Sequence, residues 1–117
     1  MDKLEYLNLG WNPIGNPALA AFGDCVAFPK LKQLWMEKCN FSDRDALSAF
    51  LENSCVRNVR ILALNQNPFG ESAHGAFLKR KVSNKIKRIY LYDCEMPDRL
   101  SSKILLEELY ETTEFFM

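Results

Sequence analysis

The chain has 117 residues, 48% of them hydrophobic and 26% charged, the balance of one folded unit and not of a disordered tail, a collagen or a membrane bundle. Fifteen basic residues cancel fifteen acidic ones at a formal net charge of +0, so no whole-chain field gathers nucleic acid or an anionic membrane. No apolar run approaches the roughly 18 residues of a membrane span, and Met1-Asp2-Lys3 does not open a secretory leader.

The first predicted strand is Leu4-Glu5-Tyr6-Leu7-Asn8-Leu9, with Leu7 and Leu9 on one face. Asn12 and Ile14 follow, and Ala18, Ala21, Phe22 and Cys25 then recur at helical spacing. The second strand is Leu31-Lys32-Gln33-Leu34-Trp35-Met36, followed by Cys39 and Phe41. Ser42 is the expected N-cap of the next helix, Asp45 completes an acidic capping box, and Ala46, Leu47, Phe50 and Leu51 form the buried stripe. The third strand, Val59-Arg60-Ile61-Leu62-Ala63-Leu64, leads to Asn67, Phe69 and a helix with His74 near its start. The fourth, Ile86-Lys87-Arg88-Ile89-Tyr90-Leu91, leads to Cys94 and Met96. Asp98 is the expected cap of a last helix from Arg99 to about Glu114. Leu100, Ile104, Leu105 and Leu109 are placed on its packed side, with Glu107, Glu108, Glu111 and Glu114 mostly opposite. Phe115, Phe116 and Met117 are expected to finish sealing that end.

These segments are one repeat. Leu4, Leu31, Val59 and Ile86 stand 27, 28 and 27 residues apart, and each opens the pattern L-x-x-L-x-L-x-x-N/C-x-L. Strand, turn and helix at constant period predict an α/β, right-handed solenoid of four repeats, with a curved parallel sheet on the inner face and helices on the outer face. The repeats fall at about 4–30, 31–58, 59–85 and 86–97 within a repeat region 1–97, and 98–117 is the expected C-terminal capping helix. Asn12, Cys39, Asn67 and Cys94 form a column where the chain turns inward and buries backbone groups. An asparagine amide both donates and accepts there, and cysteine is a small substitute with a weak donor. The period, the strict Asn/Cys alternation and the turns Asn12-Pro13-Ile14-Gly15 and Asn67-Pro68-Phe69-Gly70 resemble the leucine-rich repeats of the ribonuclease-inhibitor type. Similar repeats form the C-terminal sensor arrays of NOD-like receptors. The resemblance runs from about Leu4 to Leu109 and implies a fold, not a ligand. Val59 and Ile86 depart from leucine, and Pro13 and Pro68 remove an N–H after the asparagine. Little precedes Leu4, so the N-terminal cross-section is expected to be covered by further repeats or by another chain.

Outward strand positions align as Tyr6, Gln33, Ile61, Arg88, then Asn8, Trp35, Ala63, Tyr90, then Gly10, Glu37, Asn65, Tyr92, and last Trp11, Lys38, Gln66, Asp93. At strand spacing this makes a surface about 15 Å wide. Both tryptophans and three of the four tyrosines fall on it, and Trp, Tyr and Arg dominate interface hot spots. The expected protein-binding set on this concave face is Tyr6, Asn8, Trp11, Gln33, Trp35, Glu37, Arg88, Tyr90, Tyr92 and Asp93. A protein-interaction module, the C-terminal part of a longer array, is the first reading of function.

Two alternatives stand beside it. Similar repeats form the GTPase-activating protein for Ran, although no catalytic motif of that group is matched here, so that reading rests on the fold. The basic block Lys79, Arg80, Lys81, Lys85, Lys87, Arg88 suits an acidic partner or RNA, but a solvated helix end explains it as well, and only Arg88 and Tyr90 interleave charge with an aromatic. The chain has no phosphate-binding loop, nucleophile elbow or H-E-x-x-H. A lone His74 on the helix side does not build a triad, so no enzyme is expected. Cys25, Cys39, Cys55 and Cys94 contain no C-x-x-C pair. They are read as free thiols in a reducing, cytoplasmic setting, with no metal or other cofactor.

Overall fold

A computed structural model describes residues 3–23, 30–51, 58–79, 86–96, 99–110 and 112–117. Strands and helices alternate: β1 (Tyr6–Asn8), α1 (Gly15–Gly23), β2 (Gln33–Trp35), α2 (Arg44–Leu51), β3 (Ile61–Ala63), α3 (Glu71–Lys79), β4 (Arg88–Tyr90), α4 (Arg99–Leu109) and β5 (Glu114–Phe116). The strands form one parallel sheet in the order β1-β2-β3-β4-β5, and each helix packs on its neighbours in sequence. The protein is therefore α/β, with every βα unit laid beside the one before it.

Register follows the period. Leu7, Leu34, Leu62, Ile89 and Phe115 are aligned across the sheet, and all but Leu7 are fully buried. Backbone pairing continues beyond the strands into the turns, where Trp11 N–H donates to Glu37 O (2.7 Å), Lys38 to Asn65 O (3.0 Å) and Gln66 to Tyr92 O (2.8 Å). The chain then bends through a left-handed residue at four equivalent places, Trp11, Lys38, Gln66 and Asp93. A second left-handed residue lies at Asn40 and Glu95, directly after each cysteine, but at Gly15 and Gly70 in the asparagine units. Proline explains the shift. Its ring holds φ near −65°, so Pro13 and Pro68 cannot supply the bend, and a glycine two residues later does.

The N-cap of α2 is Asp43, not Ser42. Asp43 Oδ1 accepts the Asp45 N–H at 3.3 Å and Asp43 O accepts the Leu47 N–H at 3.1 Å, while Ser42 N–H and Asp43 N–H both donate to Asn16 Oδ1 of the preceding unit. Within α2, Ala46, Leu47, Phe50 and Leu51 are buried as the spacing predicts. In α1 the stripe is displaced: Leu19 is buried and Ala21 exposed. The Phe22 side chain, Cys25, Cys55 and the Asp98 cap lie outside the described residues.

The C-terminal segment departs most from expectation. Helix α4 stops at Leu109, and Glu114–Phe116 form a fifth strand where the helix was expected to continue. The β-branched Thr112 and Thr113 and the alternation of Phe115 and Met117 with Glu114 and Phe116 favour the extended chain, and Thr113 Oγ1 donates to Ile86 O at 2.7 Å. Leu100, Ile104, Leu105 and Leu109 are all exposed, Leu100 at 71%. Ser102, Leu106 and Tyr110, one turn apart, are buried instead. Tertiary anchors select that face: the Tyr110 hydroxyl donates to Phe77 O, and Phe77, Tyr110 and Phe115 pack ring to ring, with Phe77 and Phe115 edge-on at 5.6 Å.

Candidate protein-interaction face

Strand periodicity turns Tyr6, Gln33, Ile61, Arg88 and Glu114 outward in one register row, and Asn8, Trp35, Ala63, Tyr90 and Phe116 in the next. The second row carries a line of rings. Tyr90 stacks on Phe116 with centroids 4.7 Å apart and planes at 17°. Trp35 stacks on Tyr90 at 5.9 Å and 23°, and Tyr6 closes on Trp35 at 6.5 Å. Because β2 and β4 are two strand spacings apart, about 10 Å, Trp35 and Tyr90 must lean over β3 to meet. Ala63 lies between them and is fully buried, an outward position floored by a methyl and roofed by two rings. Gln33 Oε1 accepts the Trp35 Nε1–H at 3.2 Å, which fixes the indole from the other side.

Below the rings, at the strand-to-turn bend, Lys38 Nζ sits 4.4 Å from the centre of the Trp11 ring, a cation–π contact. Trp11 is 64% exposed and Tyr92 46%. Asn65 Oδ1 accepts the Tyr92 N–H at 2.7 Å, and Asn8 Oδ1 accepts the Gly10 N–H at 2.8 Å. A Cβ on Gly10 would stand 3.0 Å from that oxygen, so glycine keeps the bend open there. Glu37 is half-buried, while Arg88 and Asp93 are exposed. Of the expected set, Tyr6, Asn8, Gln33, Trp35, Arg88 and Tyr90 occupy the outward strand rows, where the rings of Tyr6, Trp35 and Tyr90 come together, whereas Trp11, Glu37, Tyr92 and Asp93 lie beyond the strand ends, with Trp11 against Lys38. Phe116 completes the row and was missed. It stands 26 residues after Tyr90, so the repeat period was the signal that pointed to it.

The Asn/Cys column divides. Asn67 is buried: its Oδ1 accepts the N–H groups of Cys39 (2.9 Å) and Phe41 (3.1 Å), and its Nδ2 donates to Met36 O and Leu64 O, both at 2.9 Å. Cys39 Sγ donates to Leu9 O and Cys94 Sγ to Leu64 O, each reaching back to the preceding unit. Burial raises both thiol pKa values, Cys94 to about 11; at neutral pH both are protonated donors and poor nucleophiles. Both are free. Asn12 does not follow the expectation. It is exposed, and among the described residues its Nδ2 donates only within its own turn, to Leu9 O and Gly10 O.

The helix side offers a shallow open groove between α1 and α2, lined by Asn16, Pro17, Ala20, Asp43, Asp45, Ala46 and Ala49; Asn16 and Asp43 are committed there to holding the start of α2. Of the basic block, Arg80, Lys81, Lys85 and the Lys79 side chain lie outside the described residues, as does the His74 side chain, while Lys87 and Arg88 are exposed. Among the described residues no cluster of His, Cys, Asp or Glu has the make-up of a metal site, and no helix is long and apolar enough to cross a membrane. No protein-family model and no curated protein matches the chain.

Proposed function

We propose that the chain is a leucine-rich-repeat module of the ribonuclease-inhibitor type, a solenoid whose strand face binds a protein ligand, without catalysis of its own and in a reducing, cytoplasmic setting. The sequential parallel sheet in constant register and the backward-reaching Asn67, Cys39 and Cys94 support the repeat reading. One observation carries the functional reading: the ring row of Trp35, Tyr90 and Phe116 stands on the face of the sheet opposite the one that packs the buried core. Rigid rings held before a ligand arrives lose little conformational freedom on binding, and such rings beside exposed Tyr6, Tyr92 and Arg88 have the make-up of an interface hot spot.

The test uses exposed residues, because Trp35 and Tyr90 also shelter Ala63. A photo-cross-linking side chain at Tyr92 is expected to trap a protein that the same group at Ala49, on the helix side, does not. Tyr6→Ala with Trp11→Ala is expected to abolish the trapping while thermal unfolding stays unchanged. Equal trapping from Ala49, or trapping indifferent to the double substitution, refutes the site.

A further inference from the structure

The two edges of the sheet differ in chemistry. In β5, Glu114 N–H donates to Lys87 O, and Phe116 O accepts from Leu91 N–H, so in a parallel ladder the backbone of Phe115 between them faces the outer edge. That edge is occupied. Phe115 O accepts from Lys103 Nζ at 2.9 Å, and Phe115 N–H donates to Glu107 Oε2 at 3.1 Å. The two side chains stand one turn apart on α4 and are paired with each other at 3.1 Å. Burial opposes the Glu107 charge, but the Phe115 N–H and the Lys103 ammonium outweigh it and hold the carboxyl below its ordinary pKa. An incoming parallel strand would need the same two backbone groups.

At β1 the situation is reversed. Glu5 O accepts from Lys32 and Gln33, and Leu9 N–H donates to Trp35 O, which turns the backbone of Tyr6 and Asn8 to the outer edge. No side chain among the described residues bonds to it. Leu4, Leu7 and Leu9 are only partly buried, whereas their counterparts Leu31, Leu34 and Met36 are fully buried. Asn12 Oδ1, the counterpart of the oxygen by which Asn67 accepts two N–H groups of the preceding unit, accepts from nothing among the described residues.

We propose that β1 is a docking edge that takes a parallel strand from a further βα unit of the same kind, and that Lys103 and Glu107 lock β5 against the same addition, so that copies do not join end to end. The incoming unit covers Leu7 with an apolar side chain and brings two turn N–H groups to Asn12 Oδ1, as Cys39 and Phe41 do for Asn67. This goes beyond the ligand reading and does not rest on it. An unlocked edge is the hazard such a pair removes.

A second copy is the probe. The wild-type chain is expected to sediment as a 13.5 kDa monomer, and Lys103→Ala/Glu107→Ala to grow in mass with concentration as its open β5 meets β1 of the next copy. Adding Asn8→Pro removes an outward N–H from β1, a change that an edge strand tolerates. It is expected to stop that growth and leave a chain that binds wild type one to one. Lys103→Glu/Glu107→Lys keeps an ion pair on α4 but sets the wrong charge against each Phe115 group, so it opens the edge in a helix that stays folded. In both lock variants carrying Asn8→Pro, which keeps them monomeric with β5 open, amide exchange at Phe115 is expected to rise about tenfold or more while Leu62 is unchanged. A folded charge-swapped variant that stays monomeric with Asn8 in place, unchanged Phe115 exchange, or a wild-type chain that assembles end to end overturns the proposal.

Discussion

Without the Asn67 amide, the N–H groups of Cys39 and Phe41 and the carbonyl of Met36 lose a partner inside the protein. Each buried orphan costs about 1–3 kcal/mol, so Asn67→Ala is expected to lower stability by roughly 2–4 kcal/mol in urea unfolding, whereas Asn12→Ala, at an exposed site bonded among the described residues only to its own turn, costs less than about 1 kcal/mol. Equal losses would refute this assignment of roles. The turns differ along the column: in the asparagine units the N–H equivalent to that of Phe41 folds back locally, from Ile14 to Asn12 O and from Phe69 to Asn67 O, both at 2.7 Å. In the cysteine unit at Cys39, two turn N–H groups remain, and the asparagine of the following unit accepts them. The column and its mechanical role are legible in the spacing of Asn12, Cys39, Asn67 and Cys94, but the direction in which each amide reaches is settled by the neighbouring coil and not by spacing.

At the level of elements, strands were legible and the last helix was not. A strand's faces follow from a period of two, and four copies of the pattern fixed which residues face the core. For α4 there was one copy, and its most apolar residues misled: Leu100 and Ile104 lie on one side of the buried stripe and Leu105 and Leu109 on the other, by ordinary helix geometry. The stripe itself, Ser102, Leu106 and Tyr110, is set by the Tyr110–Phe77 hydrogen bond and by the Lys103 and Glu107 contacts to β5. Leu106→Ala is therefore expected to cost about 2–4 kcal/mol and Leu100→Ala less than about 0.5 kcal/mol, read from thermal melts of the two variants. The reverse order would mean that α4 packs by the face its composition suggests. Strand β5 escaped notice because Thr112 occupies the place where the other repeats have a leading aliphatic residue, and Thr113 joins the sheet through its hydroxyl on Ile86 O.

Across the whole molecule, each helix packs against its sequence neighbours and each inner strand against two others, so cohesion is local and the ends need not be as stable as the middle. The two ends also differ from each other. Leu7 is only partly covered, while Phe115 is fully buried and its outer backbone groups are held by Lys103 and Glu107. Native-state amide exchange should record this asymmetry. The amides of Leu34, Leu62 and Ile89 are expected to exchange slowest, through openings near the global unfolding free energy. Leu7 is expected to exchange fastest of the aligned row, through fraying of β1 and α1 alone, and Phe115 to fall close to the middle strands, although it too lies on an edge. Denaturant added below the unfolding midpoint should leave the Leu7 rate nearly unchanged, since a local opening exposes little surface, and accelerate the Leu62 rate steeply. One common rate and one common denaturant slope across the row would show instead that the five strands open together, and that the unsatisfied edge at β1 weakens the whole sheet and not its own unit alone.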